Sequence, residues 1–248
     1  MRKHKVVFFG SIGIAKRILE EIVLQRDIEL VGVCCVELEN TWRTDESVFE
    51  FCQRKGIPIL SDEDIIATKP DLGISVRYNK IIKQRVIDSF SLGIVNTHGG
   101  ILPEYRGSYC NINAIINDEQ EYGVTLHYID KGVDSGDIVA IKKVSIHETD
   151  TGFDLYQISE RFCYELIAEN IDDLLDGKNN RTTQSEYISN GHCCNEYKAK
   201  ETIEKKYIPQ DKLFSGKSLR VIRAFDSASH EPAYTIINGR KIYLRVNY

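Results

Sequence analysis

The chain has 248 residues, 42% of them hydrophobic and 28% charged, enough apolar material to bury a core in one large domain or a domain with a small appendage. Its formal charge of −5 argues against the broad basic face that phosphate backbones require, so no nucleic-acid partner is expected. No apolar run approaches the roughly 20 residues that cross a bilayer, and the start MRKHKVVFFG shows no cleavable signal pattern, so a cytoplasmic protein without membrane contact is expected.

In chain order, KVVFFG (5–10) is a short apolar run ending in glycine, followed by SIGIAKRILEEIVLQ (11–25), whose Ile14, Ile18, Leu19 and Ile22 recur at helical spacing. IELVGVCCVE (28–37), DLGISV (71–76) and GIVNT (93–97) read as further buried strands. Helices are expected at DESVFEFCQRKG (45–56) with Gly56 at its end, at SDEDIIAT (61–68) with Ser61 as N-cap, and at NKIIKQRVIDS (79–89). This alternation implies right-handed βαβ units: an α/β fold with a Rossmann-like, mainly parallel twisted sheet and flanking helices. After another helical segment, GSYCNINAIIND (107–118), the extended segments GVTLHYID (123–130) and DIVAIKKVSI (137–146) are separated by the turn-rich KGVDSG. A long amphipathic helix follows, with Thr151 and Asp154 as a capping box, Phe153, Tyr156, Phe162, Leu166 and Leu174 toward the core, and Gly177 as its stop.

That helix closes an expected catalytic domain, 1–178. Residues 179–248 read as a linker, polar and turn-rich to about 210, and a small C-terminal β-rich module in which SLRVIRAF precedes strands joined at an Asn238-Gly239 hairpin. The lysines of EYKAKETIEKK are interleaved with acids, as on a solvated face. The seven cysteines show neither CxxC spacing nor a Cys/His ligand set, so free thiols and no metal are expected.

Ligands of open parallel sheets bind beyond the carboxyl ends of the strands. The glycines of GSIGIA, Gly10 and Gly13, lack the G-x-G-x-x-G spacing, and no acidic residue suited to a ribose ends the second strand, so a tight turn with some ligand contact is expected there rather than NAD. In VNTHGGILPEYRG, Asn96 and His98 stand two apart on an extended segment and so share a face: a neutral hydrogen-bond donor beside a group able to exchange a proton near neutral pH. Gly99 and Gly100 would let the backbone turn sharply and Pro103 would stiffen the exit. In GVTLHYIDKGVDSGD, His127 lies on a strand, and Asp130, Asp134 and Asp137 follow. These acids fit a solvated turn or carboxylate partners of the histidines better than a hard-metal site, which would want more oxygen ligands.

NTHGGILPEYRG, with AIINDEQEYGVTLHYIDKGVDSGDIV after a short spacer, resembles the catalytic core of the formyltransferases that use N10-formyltetrahydrofolate, acting on glycinamide ribonucleotide, methionyl-tRNA or nucleotide sugars. The match runs from about Val76 to Val139, with weaker agreement back to residue 5. The resemblance implies Asn96, His98 and Asp134 as catalytic residues, N10-formyltetrahydrofolate as co-substrate, and Lys80, Ile81 and Ile82 with Asp130, Lys131, Gly132, Val133 and Asp134 bordering the folate, largely through backbone groups. Where family members carry a second arginine two residues after that of YRG, this chain has Ser108, which leaves that contact open.

LRVIRAFDSASHEPAYTIINGRKIYL resembles the C-terminal module of the nucleotide-sugar members, which implies a nucleotide-linked 4-amino-4,6-dideoxyhexose as acceptor, destined for a bacterial surface polysaccharide such as an O-antigen. Candidate contacts to it are Arg77, Tyr78, Tyr105, Arg106, Tyr109 and His127, since arginine can hold a diphosphate and tyrosine can stack on a base or bond a sugar hydroxyl. Arg106 has a second role open to it, pinning its loop through backbone carbonyls. Asn111 and Asn113 read as helix-surface or capping residues. The exposed hairpin edge makes a homodimer the expected assembly.

Overall fold

The structure, a computed structural model, describes residues 3–37, 46–227 and 231–247. Asp45, the first residue of one expected helix, and Ala228 to His230 within the C-terminal match lie outside the described residues.

Strand β1 (His4–Gly10) is buried from Val6 onward and leads through a tight turn into α1 (Ile14–Leu24), which buries Ala15, Ile18, Leu19 and Ile22 along one stripe. After β2 (Ile28–Cys34) come α2 (Val48–Lys55) and α3 (Asp62–Thr68), each opened by a capping box, Ser47 with Glu50 and Ser61 with Asp64. Gly56 closes α2 at φ 66°. Strand β3 (Leu72–Val76) is buried throughout. The helix expected over 79–89 is confined to α4 (Gln84–Ile87); Lys83, its N-cap, has extended backbone angles, and residues 79–83 form a loop whose first four residues line a large cavity.

Strand β4 (Ile94–His98) is followed by β5 (Arg106–Gly107), α5 (Cys110–Ile116), β6 (Glu121–Tyr128) and β7 (Ile138–Ser145). The central sheet runs β2-β1-β3-β4-β6-β7. Its first four strands are parallel, and β6 is antiparallel to both neighbours, which makes the sheet mixed but mostly parallel. Helix α6 (Gly152–Asp176) has the expected Thr151–Asp154 capping box and the Gly177 stop at φ 66°. Its buried stripe is Leu155, Ser159, Phe162, Cys163, Leu166, Ile167, Ile171 and Leu174, so Phe153 and Tyr156 stand half-buried at its flank rather than in the core.

The stretch read as turn-rich folds further than expected, into α7 (Gln184–Ser189), β8 (Glu196–Tyr197) and α8 (Ala199–Glu204). SLRVIRAF is helical, in α9 (Gly216–Ala224). The apolar positions that look alternating also recur three and four apart, and Ser218, Val221 and Ala224 make the buried stripe under a Ser215 N-cap. The chain closes with the antiparallel pair β9 (Tyr234–Ile237) and β10 (Arg240–Tyr243), joined at Asn238 and Gly239, both at positive φ as a type I′ turn requires. Ile208, Val221, Phe225 and Ala233 share a buried cluster with Tyr105, Cys110, Ile115, Tyr122 and Leu155, so the C-terminal residues help build the core beside β5 and α5.

Candidate active site

Strand β4 ends in Asn96 and His98, and its register partner β6 places His127 directly opposite Asn96. Asn96 Nδ2 donates to His127 Nε2 at 3.2 Å, and His127 Nδ1 donates to the Tyr128 carbonyl at 2.8 Å. The carbonyl can only accept, which fixes the tautomer: Nδ1 carries the hydrogen and Nε2 offers its lone pair to the amide. Burial pushes the His127 pKa down to about 4, against the pull of Asp134, so the ring is neutral at physiological pH. One of the two Asn96 N–H bonds is thereby held by His127, leaving the other for a ligand.

The loop between β6 and β7 folds back over these groups. Asp134 sits at φ 47°, in the left-handed region that costs a non-glycine residue roughly 1–2 kcal/mol. Its Oδ2 lies 3.4 Å from His98 Nδ1 and accepts from the Gly107 amide at 2.9 Å, while Oδ1 lies 3.6 Å from His127 Nε2. Nε2 of His98 donates to the Tyr105 carbonyl at 2.6 Å. His98, Asp134, His127 and Asn96 thus meet in one cluster, and His98 is only 7% exposed.

The turn after β4 is held by side chains that sequence reading missed. Thr125 Oγ1 donates to the Gly100 carbonyl and accepts from the Leu102 amide, and Tyr122 Oη donates to the Gly99 carbonyl. Neither Gly99 nor Gly100 has positive φ, contrary to a need for an unusual turn. Gly100 is required for close approach instead: a Cβ there would lie 2.5 Å from the Tyr105 carbonyl oxygen and 2.9 Å from His98 Nε2.

The cluster opens into a cavity of about 990 Å³, large enough for an extended ligand. Its walls include every residue expected beside the folate, Lys80 to Ile82 and Asp130 to Asp134. Asp130 stiffens that second wall by accepting from the Gly132 amide and from Ser135 Oγ. Tyr78, Tyr109 and His127 also line the cavity. Burial raises the Tyr78 phenol to about 12, so it presents a neutral hydroxyl.

Two expected ligand contacts stand away from the cavity, and a third reaches it with its charge already paired. The Tyr105 ring stacks on Tyr197 at 4.9 Å and its hydroxyl donates to Glu119, so it packs in the core and does not line the cavity. Arg106 does not line it either: Nε and Nη2 both donate to Gln184 Oε1, at 3.0 and 2.6 Å. Arg77 does reach the cavity, but its Nε donates to Glu160 at 3.0 Å and its guanidinium also bonds Ser159 and lies 5.1 Å from the centre of the Tyr156 ring, so its charge is already paired. Glu160 also accepts from the Ile14 amide at 2.7 Å, and its carboxylate would touch a Cβ at Gly13. The protein's own carboxylate therefore occupies the α1 N-terminus where a dinucleotide phosphate would bind.

Asn111 lines the cavity and donates to the Gly152 carbonyl, whereas Asn113 is fully buried rather than on a helix surface, bonding Tyr109, Thr202 and Lys205. Cys110 lies 3.6 Å from His98 Nε2, and burial pushes its thiol up, so it stays protonated and is no nucleophile. All seven cysteines are unbridged. Among the described residues no group of three or more His, Cys, Asp or Glu is placed to hold a metal, and no helix is long and apolar enough to cross a membrane.

Comparison with known proteins bears on this arrangement. Residues 53–171 match the family model described as formyl transferase. A methionyl-tRNA formyltransferase of Elusimicrobium minutum is 36% identical over 153 residues, which cover 57% of this chain and 45% of that protein; the chain spans about half the length of the curated relatives it matches. Among solved structures, that of WlaRD, a sugar 3N-formyl transferase in the presence of dTDP and 5-N-formyl-THF, superposes with a TM-score of 0.78 at 25% identity, covering 98% of this chain and 86% of the other. A 4-N formyltransferase from Francisella tularensis shares the fold at a TM-score of 0.80 and 20% identity, covering 99% and 98% of the two chains.

Proposed function

We propose that this chain, whose residues 53–171 match the formyl transferase family model, moves the formyl group of N10-formyltetrahydrofolate to the amine of a nucleotide-linked 4-amino-4,6-dideoxy sugar. The observation that carries this reading is the convergence of Asn96, His98 and Asp134 on one cavity of about 990 Å³ whose walls are the 80–82 and 130–134 loops. The coverage of 98% and 86% with a sugar formyltransferase supports the sugar acceptor.

In the proposed reaction the acceptor nitrogen forms a bond to the formyl carbon, the carbonyl π electrons move to oxygen, and the tetrahedral intermediate collapses by breaking the bond to N10. The free Asn96 N–H stabilises the oxyanion; such a donor is typically worth about 2.7–4 kcal/mol of barrier. His98 Nε2 is committed to the Tyr105 carbonyl, so Nδ1, which faces Asp134, is the nitrogen that carries the exchangeable proton. Asp134 accepts the amine proton directly or through water, stabilises His98 when charged, and the proton returns to the departing N10. No covalent enzyme intermediate is required. His127, neutral and bonded to Asn96, sets the amide rather than holding sugar. Tyr78 and Tyr109 remain the acceptor contacts of this reading, with the folate along 80–82 and 130–134.

A role in O-antigen or related surface-polysaccharide synthesis in the cytoplasm follows from that acceptor. Exposed Ile236, Ile237, Ile242 and Tyr243 on the C-terminal hairpin support a homodimer. A second reading, formylation of methionyl-tRNA, is supported by 36% identity to a curated enzyme of that kind, while the net charge of −5 weighs against a tRNA partner.

The test is incubation with N10-formyltetrahydrofolate and two sets of acceptors: nucleotide-linked sugars bearing the amine at the 3 or 4 position, and charged initiator tRNA. Gain of one formyl group on a 4-amino sugar supports the proposal. Turnover of the 3-amino sugars alone would move the amine, turnover of the tRNA alone would replace the acceptor class, and no transfer to any acceptor would remove the activity.

A further inference from the structure

The left-handed Asp134 is gripped from outside its own loop. Gln184, the first residue of α7, is 3% exposed, and its Nε2 donates to the Asp134 carbonyl and to the Gly136 carbonyl, each at 2.8 Å. Its Oε1 accepts both Arg106 contacts, so the amide cannot flip without facing donor against donor. Arg106 is itself held where β5 pairs with β8, its amide donating to the Asn195 carbonyl, and the next residue, Gly107, donates its amide to the Asp134 carboxylate. Two further contacts extend the grip. Thr182 and Ile138 exchange both backbone bonds, at 2.9 and 2.8 Å, and Arg181 pairs with Asp137 at 2.7 Å while lying 4.0 Å from the centre of the Tyr128 ring.

We infer that Gln184 and Arg106 are positioning residues for Asp134, and that residues 181–184 clamp the 134–138 loop so that its carboxylate meets His98. Neither side chain lines the cavity, so each would act on the reaction through Asp134. An unclamped Asp134 has every reason to relax, since its backbone is in an unfavourable region and, among the described residues, Gly107 is the one backbone donor to its carboxylate. The clamp makes the polar stretch after α6 part of the active site. The inference rests on the formyl-transfer reading for its readout.

The experiment is a double-mutant cycle on the full chain. Gln184→Met keeps the length of the side chain and removes its donor and acceptor; it is made alone and together with Asp134→Asn, and formyl transfer is followed in single turnover with enzyme in excess. Misplacing a reacting group by about 1 Å can cost on the order of 10²-fold. We expect Gln184→Met alone to lower the saturating single-turnover rate constant roughly 10–100-fold, with a smaller change in the half-saturating enzyme concentration. In the Asp134→Asn background the same substitution should cost less than about 2-fold, because the group it positions is gone. Equal losses in both backgrounds, or no loss from Gln184→Met alone, would overturn the inference. If Gln184→Met fails to fold, Arg106→Met takes its place in the same cycle with the same two outcomes. An inactive wild-type chain would instead count against the formyl-transfer reading.

Discussion

The two halves of the candidate site are built in different ways. Asn96 and His98 end a buried strand paired parallel to β3 and antiparallel to β6, so the backbone ladder fixes them and Thr125 and Tyr122 have only to pin the turn that follows. Asp134 stands on an irregular loop in a left-handed conformation and is held by bonds from segments distant in sequence, Gly107 and Gln184. The strand half is cheap to specify locally, whereas the loop half depends on long-range contacts. Substitutions should therefore separate the two halves.

The largest effect is expected from the loop half's reacting group. Asp134→Asn keeps shape and removes the charge that faces His98 Nδ1, and should lower kcat by roughly 10²–10⁴-fold, the usual contribution of a positioned acid or base, with an unchanged thermal melt. Next come the two close-approach glycines, one in each half. A Cβ at Gly107 would lie 2.4 Å from the Tyr197 carbonyl oxygen at φ 89°, and one at Gly100 would lie 2.5 Å from that of Tyr105. Each Gly→Ala change should lower stability by about 1–3 kcal/mol in denaturant melts. Gly107→Ala, which disturbs a direct ligand of Asp134, should also lower kcat in the folded fraction. Equal melts for wild type and both variants would mean that neither approach is as tight as described.

His127 gives a pH test. Its pKa is about 4 when folded and near 6.5 when unfolded, so between these values the unfolded chain binds more protons. The stabilisation is fully present above pH 6.5 and is lost as pH falls toward 4. Melts at stepped pH should show this slope, and His127→Gln should flatten it; an unchanged slope would mean that the ring is not buried neutral between Asn96 and the Tyr128 carbonyl. The smallest effect belongs to the exposed pair Arg85–Glu63, neither of which lines the cavity, where Arg85→Ala should change stability by less than about 1 kcal/mol and leave kcat alone.

Legibility in the sequence follows the same division. Strand β4 and its neighbours announce themselves as short apolar runs, and the N-cap at Ser61 and the capping box at Thr151 are local signals that the structure reproduces. NTH on a strand places Asn96 and His98 on one face by period alone. The position of Asp134 beside them came from a motif, since no local rule says that a loop folds back over a strand. Tyr105 and Arg106 read as ligands because they are aromatic and cationic residues next to a site, while stacking on Tyr197 and bonding to Gln184 are tertiary facts; the pinning role also open to Arg106 is met by a side-chain amide in place of backbone carbonyls. Gln184 left no signal beyond being polar in a polar stretch. SLRVIRAF shows how eight residues can satisfy both periods until Ser215 caps one of them and burial of Val221 and Ala224 decides.

Formyl transfer by wild type beside His98→Asn, with a nucleotide-linked 4-amino sugar and N10-formyltetrahydrofolate, tests the central claim most directly. The account predicts that wild type adds one formyl group to the sugar amine and that the variant, with an unchanged melt, turns over at least about 10²-fold more slowly. A wild-type rate retained by the variant would contradict it.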